Sequence, residues 1–184
     1  MEINLRHLCA INKYGASKEE TRYYLNGVFV HSDGDYVVFV ATDGHRMIVH
    51  RVPNVDRVEW SFIIPRQMLE RFKFSARDAG AAQLFFTGTD VIIAHAGSQS
   101  IEKPVDGTFP GYKHVRPADG VDVEPAAFNG QYCADFDALA KVFGAAAATI
   151  TPRGGNPALV TFGRDDIYGA LMPMRKTFET RAPF

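Results

Sequence analysis

The chain alternates between short helical and extended hydrophobic patterns, and the same alternation occurs three times. Each time, a short extended segment leads into an amphipathic helix that is followed by two or three strands. The period is roughly 58 residues, longer than in common solenoid repeats. We therefore define unit one (1–57), unit two (58–117), unit three (118–175) and a tail (176–184). On the pattern alone, the alternative is that the units are not a true repeat, because any α+β chain can be divided into similar pieces.

One helix is predicted in each unit from apolar residues at helical spacing. The first covers Leu5–Tyr14, the second follows Pro65, which suits a first helical turn, and the third covers Ala134–Ala146. The residues predicted to face the core are Leu5, Leu8, Cys9 and Ile11 in unit one, Met68, Leu69 and Phe72 in unit two, and Phe136, Leu139, Ala140 and Phe143 in unit three.

Strands are predicted where apolar runs are bounded by turns rich in Gly, Asp and Asn. They are Tyr23–His31, Tyr36–Thr42 and Met47–Val52 in unit one, Phe62–Ile64, Gln83–Thr87, Val91–Ala96 and Ser100–Pro104 in unit two, and Thr149–Pro152, Ala158–Gly163 and Tyr168–Met174 in unit three. The Pro-, Gly- and Asp-rich segment between Arg116 and Pro125 is typical of a linker. The expected fold class is α+β, with helices on one face of antiparallel sheets.

Composition narrows the function classes. Of the 184 residues, 46% are hydrophobic and 22% are charged, which is ordinary for a globular chain. The formal net charge is −1, so any contact with DNA must come from a local basic face. No apolar run approaches the roughly 20 residues of a membrane helix, and no signal peptide is evident. We expect a cytoplasmic protein that makes no membrane contact.

Enzymatic interpretations find little support in the sequence. Asp43 and His45 are two residues apart in a turn, but no nucleophile or third group completes a catalytic set. Cys9 and Cys133 have no partner at metal-ligand spacing, and phosphate-binding loops are absent. We therefore expect a non-catalytic protein with no cofactor and no metal site.

Six short segments, in order along the chain, carry a resemblance to a known family. They are Glu20–Gly27, Ala41–Met47, Ile64–Arg66, Asp106–Tyr112, Phe128–Asn129 with Tyr132, and Met172–Arg175. Together they resemble the bacterial DNA polymerase III β subunit, the sliding clamp. The resemblance implies a DNA-clamp fold of repeated βαβββ half-domains. Units one and two resemble the complete middle domain (1–117), and unit three (118–175) resembles only the second half of the last domain.

The resemblance further implies a peptide-binding groove that docks DNA polymerase and clamp-loader peptides. The matching residues are Leu25, Thr42, Gly44, His45, Arg46, Met47, Pro110, Val115, Leu171, Met172, Pro173, Met174 and Arg175. Leu, Met, Pro and Val suit an apolar trough, and Arg46 and Arg175 could hold a peptide carboxylate or carbonyl. The alternative is that Leu25, Met172 and Met174 are ordinary strand core residues. His114 stands where the family often has Arg.

Sequence-independent contact with double-stranded DNA is the second implied function. The candidate residues are Arg6, Lys13, Tyr23, Tyr24, Arg66, Arg71, Lys73, Asn129 and Tyr132, with His7 beside them on helix one. The alternative for each cation is a solvated helix face, and any contact should depend strongly on salt.

Three half-domains leave unit three without a partner half, so we expect a homo-oligomer, either a dimer or a tetrameric ring. The alternative is that unit three folds back on units one and two. The protein would then be a non-encircling adaptor or decoy that binds clamp-motif peptides. Phe178 and Phe184 in the tail are candidates to occupy a groove, and a frayed tail is the alternative.

Overall fold

A computed structural model describes residues 1–116 and 126–175. The predicted tail and most of the predicted linker lie outside these residues. The strands are β1 (Glu2–Asn4), β2 (Gly27–Asp33), β3 (Tyr36–Thr42), β4 (Arg46–Pro53), β5 (Ser61–Pro65), β6 (Ala81–Phe86), β7 (Val91–His95), β8 (Ser98–Glu102), β9 (Thr149–Arg153), β10 (Asn156–Thr161) and β11 (Ile167–Leu171). The α-helices are α1 (Leu5–Gly15), α2 (Arg66–Glu70) and α3 (Gly130–Val142), and short 3-10 segments cover Glu20–Leu25 and Tyr112–Val115.

Helix boundaries follow the capping residues. The side chain of Asn4 accepts a hydrogen bond from the His7 N–H at 3.2 Å and starts α1 as predicted. Asn129 does the same for α3 by accepting from the Gln131 N–H at 2.9 Å. The prediction that this helix begins at Ala134 was therefore wrong by four residues, because the cap lies upstream of the apolar stripe.

Two predicted strands differ from the observed ones by three residues or more at one end. Tyr23 and its neighbours form a 3-10 turn, so the strand predicted from Tyr23 begins at Gly27. The last strand ends at Leu171, because the N–H of Met174 donates to the carbonyl of Ala127 instead of joining the sheet. By contrast, β3 has the predicted bounds.

Among the described residues, all strand pairings are antiparallel and form two sheets. The orders are β5-β2-β3-β4-β11-β10-β9 in the seven-stranded sheet and β1-β6-β7-β8 in the four-stranded sheet. Units one and two exchange their leading strands, since β1 pairs with β6 and β5 pairs with β2. This exchange joins the two units through both sheets.

Unit three packs directly on unit one. Its last strand, β11, pairs with β4 from Ile167 opposite His50 to Leu171 opposite Arg46. Helix α3 lies beside α1, and the rings of His7 and Phe143 stack at 4.0 Å. The strands of unit three therefore continue the sheet of unit one, and β9 forms the outer edge of that sheet.

The main core lies on the helical face of the seven-stranded sheet. The residues predicted to face it are buried, except that Cys9 and Phe72 are only partly buried. Phe136 of α3 lies so close to β11 that a side chain at Gly169 would contact its ring. A smaller apolar cluster on the opposite face includes Leu25, Met47 and Tyr112. Among the described residues, no helix is long and apolar enough to cross a membrane.

Candidate functional site

A groove of about 250 Å³ opens where the three units meet on the outer face of the seven-stranded sheet. Its floor contains Leu25 and Met47, which are nearly fully buried, together with Ala170 of β11. Its rim contains Val115 and Met172, each 41% exposed. The groove is thus an apolar depression with solvent-exposed apolar side chains at its mouth.

The β3–β4 turn forms one wall and is held rigidly by its own polar groups. The Thr42 hydroxyl donates to the Arg46 carbonyl at 2.7 Å and accepts from the Gly44 N–H at 3.1 Å. The Asp43 carboxylate accepts from the backbone N–H groups of His45 and Arg46 at 2.9 and 3.0 Å. The Asp43 carboxylate therefore stabilises the turn. Because backbone N–H groups occupy it, it is not placed as an acid–base partner of His45.

Glycine is favoured at position 44 of this turn. Gly44 has a φ of +89°, which is strained for a residue with a side chain. A Cβ at this position would lie 2.7 Å from the guanidinium of Arg22. The positive φ is therefore the reason that glycine is favoured here, since the flexible end of the Arg22 side chain could move away from a Cβ.

The wall contributed by unit two is the turn from Pro110 to Val115. The Tyr112 hydroxyl and Nε2 of His31 form a 2.7 Å hydrogen bond, and burial raises the pKa of Tyr112. Phe109 stacks on Phe29 at 4.8 Å, which anchors the start of the turn to β2. This wall is held to unit one by an aromatic stack and a partly buried hydrogen bond.

Arg46 does not have the role that the sequence predicted. Its guanidinium bonds to Asp135 of α3 at 2.6 Å and to Asp43 at 3.1 Å, and it lies 4.4 Å from the ring centroid of Tyr132. The side chain is only 11% exposed. The hypothesis that Arg46 holds a peptide carboxylate is therefore corrected: its charge is already neutralised within the chain, where it joins unit one to unit three.

The structure brings together most of the predicted groove residues. Nine of them line the cavity: Leu25, Thr42, Gly44, His45, Arg46, Met47, Pro110, Val115 and Met172. Leu171 is fully buried in the main core, because successive residues of β11 point to opposite faces of the sheet. Pro173, Met174 and Arg175 follow the strand outside this cavity, with Met174 and Arg175 exposed.

Three lining residues were missed by the sequence analysis, namely Gly111, Tyr112 and Ala170. Gly111 and Tyr112 lie within a segment that was singled out as a motif, so the signal was present. Ala170 carried no signal, because its position at the groove depends on the pairing of β11 with Met47 of β4.

The cations proposed for DNA contact are largely engaged within the chain. Arg66 pairs with Glu70 at 2.5 Å, and Arg71 pairs with Glu102. Arg6 donates to the Ser75 carbonyl and lies 5.0 Å from the Phe74 ring centroid. Lys73 Nζ donates to the Glu70 carbonyl at 3.3 Å. The two ion pairs reduce the positive charge that Arg66 and Arg71 offer to a phosphate backbone, whereas the hydrogen bonds to carbonyls leave Arg6 and Lys73 charged.

The remaining DNA candidates differ in their accessibility. Lys13 is exposed beside Tyr14, and Tyr23 is 54% exposed with Tyr24 packed edge-on against it. Asn129 caps α3, and Tyr132 lies beneath Arg46. His7 was expected off the apolar stripe of α1, but it stacks on Phe143 inside the joint between units one and three.

Comparison with known proteins agrees with this architecture. A family model described as "DNA polymerase III beta subunit, central domain" matches residues 3–111, more than half of the chain. The chain belongs to the DNA polymerase III beta subunit family. The beta sliding clamp of Salmonella typhimurium is 31% identical over 138 residues, and that of Escherichia coli K12 is 32% identical over 120 residues. These matches cover 69% and 63% of this chain but only 37% and 32% of the relatives, so the chain spans about a third of their length.

Solved structures of the DNA polymerase III beta subunit share the fold. The structure from Borrelia burgdorferi, in complex with a natural product, aligns with a TM-score of 0.80 at 17% identity. The sliding clamp from Bacillus subtilis aligns with a TM-score of 0.79 at 18% identity. Each alignment covers 96% of this chain, and 62% and 64% of the respective structures. The expected α+β DNA-clamp fold is confirmed.

Proposed function

We propose that this chain is a processivity factor of DNA replication that binds partner peptides in the groove between units one, two and three. Its partners would be DNA polymerase and clamp-loader segments, as the resemblance to sliding clamps implies. Units one and two (1–117) would act as a complete clamp domain, and unit three (118–175) as a half-domain that completes the groove. The protein would have no catalytic role of its own and would work in the cytoplasm.

The observation that carries this proposal is the exposed apolar rim above a preformed apolar floor. Val115 and Met172 leave apolar surface in contact with water, which an apolar anchor of a partner would cover. Burying a Leu or Phe side chain contributes about 1.5–3 kcal/mol before the entropic cost of ordering the peptide. The flexible Met172 side chain would adapt to anchors of different shape.

The proposal can be tested with a fluorescently labelled peptide that carries Leu and Phe anchors, measured by anisotropy against the whole chain. Met172→Glu places a charge on the apolar rim and should weaken binding at least about 10-fold, or 1.4 kcal/mol. Val142→Glu is the matched control, because Val142 is 39% exposed on α3 and does not line the groove. Equal affinities for both variants would contradict peptide binding at this site.

Contact with double-stranded DNA is the second part of the proposal. The exposed Lys13 and Tyr23 lie among the positions that match DNA-approaching residues of the family. Because Arg66 and Arg71 already pair with carboxylates, contact should be weak and should fall steeply with added salt. Lys13→Ala should reduce the salt dependence of binding to a DNA duplex, and an unchanged slope would argue against contact through α1.

The same internal pairing favours an alternative, a clamp-like adaptor or decoy that binds clamp-motif peptides without encircling DNA. Encirclement would require a homo-oligomer, either a dimer or a tetrameric ring. The two functions differ in a topological assay. A ring would be retained on circular DNA and lost when the circle is linearised, whereas an adaptor would bind both DNAs equally or neither.

A further inference from the structure

A second cavity, which we call the side cavity, adjoins the groove on the outer face of the seven-stranded sheet and has a volume of about 370 Å³. The groove lies over Met47 of β4 and Ala170 of β11, which pair with each other. The side cavity lies over the next pair on the same face, Val49 and Tyr168. Tyr112 lines both spaces. A peptide that continues from the groove along β4 and β11 would therefore enter the side cavity.

The two spaces differ in their chemistry. The groove presents apolar side chains, with Met47 on its floor and Val115 at its rim. The side cavity is also lined by charged side chains, which include Arg51 of β4 and Lys113 of the unit-two turn. A single segment that fills both spaces needs an apolar side chain for the groove and a polar or charged one for the side cavity.

Two ion pairs at the side cavity are satisfied within the chain. Asp33 accepts a hydrogen bond from Lys113 Nζ at 2.9 Å. Asp166 accepts two hydrogen bonds from the guanidinium of Arg164, at 2.6 and 2.8 Å. Each of these carboxylates is matched by a cation of its own, so neither pair selects the charge of a ligand.

Arg51 differs from these paired groups. Met47, Val49 and Arg51 follow one another on the outer face of β4, so Arg51 lies in line with the groove floor. Its side chain is exposed, and its guanidinium lies 4.7 Å from the ring centroid of Tyr36. Within residues 1–116 and 126–175, Arg51 forms no ion pair. Because the ring contacts the face of the guanidinium, the N–H donors at its edge remain available to a carboxylate.

The groups around Arg51 favour an acidic ligand over a basic one. Asp166, whose carbonyl accepts from the Arg51 N–H at 2.8 Å, has its carboxylate held by Arg164. Asp165 is exposed in the turn before β11, outside the row of strand residues that leads from the groove. Tyr168 adds a neutral donor, because burial raises the pKa of its hydroxyl above the ordinary 10 and the proton is retained at pH 7.

We propose that the side cavity takes an acidic side chain of the peptide that binds in the groove, and that Arg51 selects for that side chain. This inference rests on the proposed function and names a feature of its ligand. A strand rises about 3.3 Å per residue, so Arg51 lies about 13 Å along β4 from Met47. An extended peptide covers this distance in about four residues, and its alternate side chains share a face. The acidic residue is therefore expected two or four positions from the apolar anchor.

The test is fluorescence anisotropy of the whole chain with labelled peptides that carry Leu and Phe anchors. Each peptide has Glu, Gln or Lys at one position, two or four residues before or after the anchors. At one of these positions, wild type should bind the Glu peptide at least about 3-fold more tightly than the Gln peptide. Arg51→Gln should remove this preference, and Arg51→Glu should reverse it in favour of the Lys peptide. Arg57→Glu is the matched control, because it makes the same change of charge at a side chain that is 83% exposed and lies outside the side cavity.

A Glu preference that Arg57→Glu keeps, Arg51→Gln loses and Arg51→Glu reverses supports the proposal. Equal binding of Glu and Gln peptides by wild type overturns it and leaves the proposed function intact, because the Gln peptide reports on the groove alone. A wild-type preference for Lys also overturns it. So does a Glu preference that Arg51→Gln retains, or one that Arg57→Glu and Arg51→Glu reduce equally, since overall charge would then explain it. If none of the peptides binds wild type, the proposed function and this inference both fail.

Discussion

Replacing Arg46 by Met should loosen the joint between unit one and unit three. The guanidinium of Arg46 bonds to Asp135 at 2.6 Å and to Asp43 at 3.1 Å while lying over the Tyr132 ring. Met has a similar length but no charge, so the substitution keeps much of the packing and removes both ion pairs. Two carboxylates would then lose their common counter-charge.

The magnitude follows from burial. The side chains of Arg46, Asp43 and Asp135 are 11%, 17% and 20% exposed. Breaking a buried ion pair by removing one partner costs about 3–5 kcal/mol, and the residual exposure of both carboxylates places the expected loss near 3 kcal/mol. Asp135→Ala removes the charged hydrogen bond from Arg46, which contributes about 1.5–3 kcal/mol, together with the bond that Gln131 Nε2 donates at 3.0 Å. The two substitutions should not be additive, with a coupling of about 1–3 kcal/mol.

Urea denaturation of wild type, both single variants and the double variant gives this coupling directly. The matched control is a second ion pair, Lys113 with Asp33 at 2.9 Å, whose side chains are 62% and 53% exposed. Because water screens that pair, its coupling should be below about 1 kcal/mol. A coupling for Arg46 and Asp135 no larger than that of the control would refute the structural role assigned to Arg46. Asp135→Ala should also weaken peptide binding, although Asp135 does not line the groove.

Two further predictions concern the same joint. Burial lowers the pKa of His50 to about 4, from an ordinary 6.5, and that of His7 is also lowered. Because the folded state disfavours the charged imidazole, stability should be constant above pH 6.5 and fall as the pH drops towards 4, by up to about 1.4 kcal/mol per unit for each histidine. Urea denaturation across this range should show that the free energy of unfolding depends less on pH in His50→Gln than in wild type. An identical pH dependence would contradict the lowered pKa of His50. Gly169→Ala should cost about 1–3 kcal/mol, because its Cβ would lie 2.6 Å from the Phe136 ring and 3.1 Å from the Met47 carbonyl oxygen. Gly155→Ala, with nothing within 4 Å, is the control for thermal unfolding, and equal melting temperatures would count against the close packing of α3 on β11.

Much of the local structure could be predicted from the sequence. The alternation of apolar residues predicted β3 with its observed bounds, and helical spacing identified the buried residues Leu5, Leu8 and Ile11 of α1. These features depend on neighbours close in sequence, where periodicity is informative. The start of α3 was placed too late because its cap, Asn129, precedes the apolar stripe.

The candidate site was predictable in its outline and not in its details. Short motifs identified Leu25, Met47 and Met172, which the structure brings to one groove. The partner of Arg46 could not be predicted, since Asp135 lies 89 residues away and nothing in either local pattern links the two. Leu171 was assigned to the groove because a motif is read residue by residue, whereas a strand alternates its side chains between two faces.

The order of most helices and strands, the main apolar core residues and the family could all be predicted from the residues alone. Each of these is encoded in spacing or in contiguous motifs, which survive without knowledge of distant contacts. It takes the three-dimensional structure to show that unit three continues the sheet of unit one, and that Arg66 and Arg71 already pair with carboxylates. These properties depend on which distant strands and charges meet in space, and a pattern of local spacing does not specify such pairings.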